Sequence, residues 1–121
     1  SVGKALRDAI QDAGFVARYG GEEFAILFPG RSVAEVAGDA ERARMAIYRA
    51  PVKFEGESFR VTASAGLAEL QPGEDKTELV RRADMALYAA KDAGRNCQHW
   101  HDGNATHAVE LVGGKLHAKP V

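Results

Sequence analysis

A single cysteine, Cys97, excludes an intrachain disulfide and points to a reducing compartment, the cytoplasm. No apolar run approaches the roughly 20 residues that a membrane-spanning helix requires, and no secretory leader precedes the first helix-like segment, so no membrane segment is expected. Charge excess is missing too. Sixteen basic and 17 acidic residues leave a net charge of -1, which gives no electrostatic footprint for a nucleic-acid polymer. A single nucleotide is not excluded, because its phosphates need only a few local cations. Internal repeats and low-complexity linkers are also absent. What remains, 121 residues with 45% hydrophobic content, fits one soluble globular domain.

The most informative stretch is Gly20-Gly21-Glu22-Glu23-Phe24, set between Phe15-Val16-Ala17-Arg18-Tyr19 and Ala25-Ile26-Leu27-Phe28. Both flanks are rich in β-formers, and a Gly-Gly pair supplies the positive φ angles of a tight hairpin turn. Glycines without side chains let a ligand approach the backbone closely. Glu22 and Glu23 then fall at the tip, where an oxygen-rich site could hold Mg²⁺ bound to a nucleotide phosphate. An acidic solvated turn is the plainer reading of these four residues alone.

Around this hairpin the pattern alternates helix and strand. Val2 to Ile10 reads as the end of a helix, broken by Asp12-Ala13-Gly14. Ser32-Val33-Ala34-Glu35 is a capping box, opening a helix with Val33, Val36, Ala37, Ala40 and Ile47 on one stripe and Pro51 beyond its end. A short hairpin is expected around Glu55-Gly56-Glu57-Ser58, and a strand of small residues from Val61 to Leu67. Asp75-Lys76-Thr77-Glu78 has the spacing of a second capping box. Its helix buries Leu79, Val80, Ala83, Ala86, Leu87 and Ala90, and Gly94 is the left-handed stop. Cys97 to His101 completes the set as a last strand. Residues 102–121 read as an appended hairpin or loose tail. Helices packed on a sheet make this an α/β (α+β) pattern.

The longer string Arg18-Tyr19-Gly20-Gly21-Glu22-Glu23-Phe24 resembles the signature of the GGDEF family, the diguanylate cyclases, in its Glu form. A second match lies late in the chain: Arg82-Ala83-Asp84-Met85-Ala86-Leu87-Tyr88-Ala89-Ala90-Lys91, then Gly94-Arg95-Asn96. The resemblance covers Val2 to about Trp100. It implies a nucleotide-cyclase or palm-like, mostly antiparallel sheet flanked by helices, with residues 1–101 a partial GGDEF domain. In the family, an N-terminal strand and helix precede the point where this sequence begins. They carry an acidic metal motif and guanine-recognising residues, and the absence of that central strand would leave two unpaired edges.

The resemblance also implies chemistry. The family condenses two GTP into cyclic di-guanylate and pyrophosphate across a homodimer, using Mg²⁺ or Mn²⁺. Glu22 then corresponds to a metal ligand, and Glu23 to a neighbour in metal binding or proton removal. Gly20 and Gly21 correspond to backbone contacts with the nucleotide, and Lys91 and Arg95 to a phosphate-binding pair. Four apart at a helix end, that pair could instead be ordinary cations facing the helix dipole. Arg18 fits a phosphate contact or an ion pair with Asp84. The family's inhibitory Arg-x-x-Asp site falls on Gln11 and Gly14, neither able to grip a phosphate as a charged pair would. These 121 residues alone are expected to be inactive, with a regulatory input domain elsewhere in the full-length protein. A non-catalytic GTP-sensing or dimerisation module is the alternative. Cys97, His99 and His101 alternate and could face Zn²⁺ together, but no fourth ligand is identifiable. Trp100 reads as packing at the end of the sheet.

Overall fold

The structure, a computed structural model, describes residues 2–10, 15–20, 23–113 and 115–116. Helix α1 (Val2–Ile10) leads into strands β1 (Phe15–Gly20) and β2 (Glu23–Leu27). Helix α2 (Val33–Arg49) and a ribbon of β3 (Val52–Phe54) and β4 (Glu57–Phe59) follow. Next come β5 (Ala65–Ala68), α3 (Lys76–Asp92), β6 (Gln98–His101) and β7 (Thr106–Ala108), then a ribbon of β8 (Leu111–Val112) and β9 (Lys115–Leu116). Four of the five strand pairings among the described residues are antiparallel; β5 and β6, joined through α3, are parallel. This is the mostly antiparallel α+β class expected from the sequence.

The three-stranded sheet β5–β6–β7 is the centre of the domain, and period-two alternation decides what each face buries. Leu67 and Trp100 face α2, where Val33, Val36 and Ala37 complete a core joined by Phe28, Val109, Leu111 and Leu116. Gly66 faces α3. A Cβ there would meet the backbone of Ala83 and Leu87, 2.8 Å from the Leu87 Cα, so the missing side chain sets how closely helix and strand pack. Ala86 and Ala90 on α3 are fully buried. Small residues on both partners thus bring α3 down onto the sheet.

Helix starts follow the capping chemistry, with one correction. Ser32 and Glu35 form the reciprocal box at α2. At α3 only half of it forms: the Asp75 carboxylate accepts from the Glu78 amide, while the Glu78 side chain turns away to Arg81.

One further expectation changes. Val61 to Ser64 are not part of a strand, because the Ala63 carbonyl accepts from the Arg44 guanidinium and Ser64 Oγ accepts from the Asn96 amide. Of the two readings of the chain beyond 101, the described residues fit the hairpin: β8 pairs antiparallel with β9, β7 pairs antiparallel with β6, and Leu111 and Leu116 pack on the core beneath α2. No helix among the described residues is long and apolar enough to cross a membrane.

Candidate functional site

At the signature hairpin, β1 and β2 run in register from Phe15↔Leu27 to Arg18↔Phe24, shift, and close with Gly20↔Glu23. Gly20 therefore belongs to the strand, and the connection is the two residues Gly21 and Glu22, which lie outside the described residues. The Arg18 and Glu23 side chains are likewise outside them, as are Gln11 and Gly14. In kind, two consecutive carboxylates beside backbone without side chains match the hard-oxygen preference of Mg²⁺ or Mn²⁺. Among the described residues no cluster of three or more His, Cys, Asp or Glu is arranged to hold a metal.

The second part of the predicted site is the end of α3. Lys91 lies in its last turn, and the helix closes in a Schellman motif: the Arg95 amide donates to the Ala90 carbonyl at 3.0 Å and the Gly94 amide to the Lys91 carbonyl at 3.3 Å. Arg95 is therefore past the helix end. Lys91 and Arg95, four apart in sequence, are not an i,i+4 pair on one helix, since Gly94 turns the chain between them. The Ala93 and Asn96 amides are also used, by the Ala89 carbonyl and Ser64 Oγ. With all four amides from 93 to 96 committed inward, an anion here would be held by side chains.

Arg95 and Asn96 both adopt left-handed backbone, with φ of 65° and 52°. Asn tolerates that region; Arg pays roughly 1–2 kcal/mol for it. A side-chain clamp holds the turn in place. Arg44 donates to Asn96 Oδ1 at 2.6 Å and to the Ala63 carbonyl at 3.1 Å, and forks onto the Glu41 carboxylate with two 2.9 Å bonds. The Arg44 guanidinium, with help from Gln98, holds the Glu41 carboxyl below its ordinary range, so Glu41 stays ionised. A cavity of about 190 Å³ opens beside this clamp, lined by Glu41, Arg44, Asn96 and Gln98 among others, and includes neither Lys91 nor Arg95.

The other end of α3 is tied down by Arg82. Its buried guanidinium forks onto Glu74 with two 2.6 Å bonds and donates to the carbonyls of Glu69 at 2.5 Å and His101 at 3.3 Å. Those carbonyls lie at the ends of β5 and β6. Arg82 lowers the Glu74 carboxyl to about 2. Reading the sequence for apolar stripes missed Arg44 and Arg82. The signal for Arg82 was its spacing, four residues before Ala86 and eight before Ala90, which puts a cation on the buried face with Glu74 as its partner.

The remaining candidates have structural partners. Cys97 Sγ lies 3.9 Å from His99 Nδ1 and contacts the Ala90 carbonyl, while His101 Nδ1 accepts from the Gly103 amide. Trp100 packs on the core and stacks on His107, 5.0 Å between centroids. Asp84 is exposed on α3.

A three-layered α+β domain with a two-residue acidic hairpin and a clamped α3 end defines a fold class before it defines a family. The family described as "Diguanylate cyclase, GGDEF domain" matches residues 1–97. The chain belongs to the GGDEF family. It is 43% identical over 91 residues to the diguanylate cyclase DgcP of Pseudomonas aeruginosa, covering 75% of this chain and 14% of that protein. Among solved structures, it is similar to the diguanylate cyclase SiaD of Pseudomonas aeruginosa, crystallised with its activator SiaC (34% identity, TM-score 0.75, 78% of this chain and 36% of that one). It is also similar to the GGDEF domain of DgcB from Caulobacter crescentus in complex with c-di-GMP (38% identity, TM-score 0.68, 78% of this chain and 60% of that one). The chain spans less than a third of the length of the curated relatives it matches.

Proposed function

We propose that this chain is the hairpin-bearing part of a diguanylate cyclase, joining two GTP into cyclic di-GMP and two pyrophosphates across a homodimer interface in the cytoplasm. The observation that carries the reading is the β1–β2 register, which leaves Gly21 and Glu22 as a two-residue connection between Gly20 and Glu23 in a chain of the GGDEF family. Residues 1–101 are assigned to the partial GGDEF domain and residues 102–121 to a C-terminal extension or hairpin. A regulatory input domain belongs to the full-length protein.

In this reading Gly20 and Gly21 let the nucleotide approach the backbone, and Glu22 holds Mg²⁺ or Mn²⁺. The ion, when bound, neutralises phosphate charge. Glu23 assists metal binding or takes the proton of the attacking hydroxyl. Lys91 and Arg95 bind phosphate oxygens through side chains, consistent with the committed backbone amides around them. Each 3′-oxygen forms a bond to the partner's α-phosphorus as the bond to the bridging oxygen breaks, so the hydroxyl loses its proton and pyrophosphate leaves. Two GTP held face to face convert a bimolecular encounter into a positioned one.

The test is cyclic di-GMP formation from GTP and Mg²⁺. The 121 residues alone are expected to yield no product; joined to a segment supplying an acidic metal motif and guanine contacts, they are expected to be active. Product from the 121 residues alone would overturn the division of labour. GTP binding without product in the joined protein would favour a non-catalytic sensing module.

A further inference from the structure

Nine large apolar side chains are exposed among the described residues, and five of them fall within residues 48–61: Tyr48, Val52, Phe54, Phe59 and Val61. Scattered exposed apolar residues are ordinary on a protein surface. These are not scattered. The β3–β4 register pairs Val52 with Phe59 and Phe54 with Glu57, so Val52, Phe54 and Phe59 share one face of the ribbon with Glu57 at its tip, while Lys53 and Ser58 take the other. The ribbon is tightly set by its turn, Glu55-Gly56, with φ of 51° and 81°, a two-residue hairpin of the primed kind. Every residue of both strands is exposed, and Phe54 and Phe59 keep 65% and 47% of their surface in solvent.

The charges around this face are polarised. Glu55 and Glu57 lie at the tip. Arg49 and Arg60 lie at the base, where the Arg60 guanidinium sits 5.6 Å over the Tyr48 ring and donates to the Tyr48 carbonyl at 3.0 Å. A surface that is apolar along its length, acidic at one end and basic at the other complements itself when turned through 180°. We propose that the β3–β4 ribbon is a docking surface for a second copy of this chain. The two apolar faces pack about a two-fold axis, antiparallel, with the acidic tip of each ribbon beside the basic base of the other. Two three-residue strands, each about 10 Å long, offer less than the roughly 800 Å² per partner of a standard interface, so the association is weak and shows at high protein concentration. This inference does not depend on catalysis.

Sedimentation velocity of the 121-residue chain from about 10 μM to about 1 mM tests it. The sedimentation coefficient is expected to rise with concentration, and Phe54→Ser or Phe59→Ser to weaken association about tenfold or more, with Trp100 fluorescence unchanged as a check on folding. Glu57→Arg and Arg49→Glu should each weaken it several-fold, and the two together should recover it. A chain that stays monomeric throughout overturns the proposal, as does Phe54→Ser associating like the parent or a double charge swap no better than its singles. Binding of a monomeric chain, but not Phe54→Ser, to phosphatidylglycerol vesicles would also overturn it and assign the ribbon to an anionic membrane surface.

Discussion

Gly66→Ala isolates what α3 owes to a missing methyl group. Gly66 is in β5 without a positive φ, so alanine suits its backbone and should gain about 0.4–1 kcal/mol from a less flexible unfolded chain. Against that, its Cβ would meet the Ala83 carbonyl oxygen, the Leu87 amide and the Leu87 Cα, the last at 2.8 Å. All three are helix backbone and cannot rotate away, so α3 must move off the sheet by about an ångström to restore ordinary contact. Overpacking of this kind costs about 1–3 kcal/mol, and the rigidity of the neighbours puts this site at the upper end. The net loss is about 2 kcal/mol. At roughly 4 °C per kcal/mol for a domain of this size, Tm should fall by about 8 °C in a circular-dichroism melt. A Tm within about 3 °C of the parent would refute the claim that Gly66 sets the α3–β5 distance.

Acid unfolding should show the Arg82–Glu74 pair. The folded Glu74 carboxyl is lowered to about 2, so the stability it confers is present above the unfolded value of about 4.3 and is lost as pH falls from there towards 2; Glu74→Gln should flatten that limb of a stability–pH profile. Glu22→Ala and Glu22→Gln should raise the Mg²⁺ requirement sharply or abolish cyclic di-GMP formation in the joined protein, and near-parental rates at low Mg²⁺ would remove Glu22 from the metal site. Product inhibition through the upstream site should be absent, because each charged hydrogen bond lost at Gln11 and Gly14 costs about 1.5–3 kcal/mol, tenfold or more in affinity. Tight cyclic di-GMP binding by calorimetry that disappears on mutating Gln11 would show the site is present after all.

Much of the fold was legible because local chemistry and burial agree. The Ser32 box, the hairpin flanks, the Gly94 stop and most of the α2 stripe are sequence-local signals. On α3 only Ala86 and Ala90 of the six expected residues are buried, with Leu79, Val80, Ala83 and Leu87 half-buried. The Val61–Ser64 segment was not legible, because its partners, the Arg44 guanidinium on the Ala63 carbonyl and the Asn96 amide on Ser64 Oγ, are distant in sequence and carry no periodicity. The same holds for β7, a three-residue strand whose place comes from pairing with β6. At the candidate site, residue types pointed to Lys91 and Arg95, but a helical i,i+4 spacing was the wrong geometry for residues on either side of a Schellman turn.

What the sequence reading missed is what holds that turn. Helix α3 is fixed to the sheet by close packing at Gly66, by Arg82 bonded to Glu74 in the loop that precedes the helix, and by the Arg44–Asn96–Ser64 clamp just past its other end. Under the proposed function these fixings would also serve a phosphate-binding arm, since an error of about 1 Å in the position of a positioning group can cost about a hundredfold in rate. The left-handed Arg95 fits the same logic: its backbone cost is tolerated where the clamp already dictates the chain path. Arg44→Gln, which removes the clamp on Asn96 while leaving both proposed phosphate-binding side chains in place, should therefore loosen Arg95 and raise the KM for GTP in the joined protein. An unchanged KM despite a lowered Tm would show that the clamp serves stability alone.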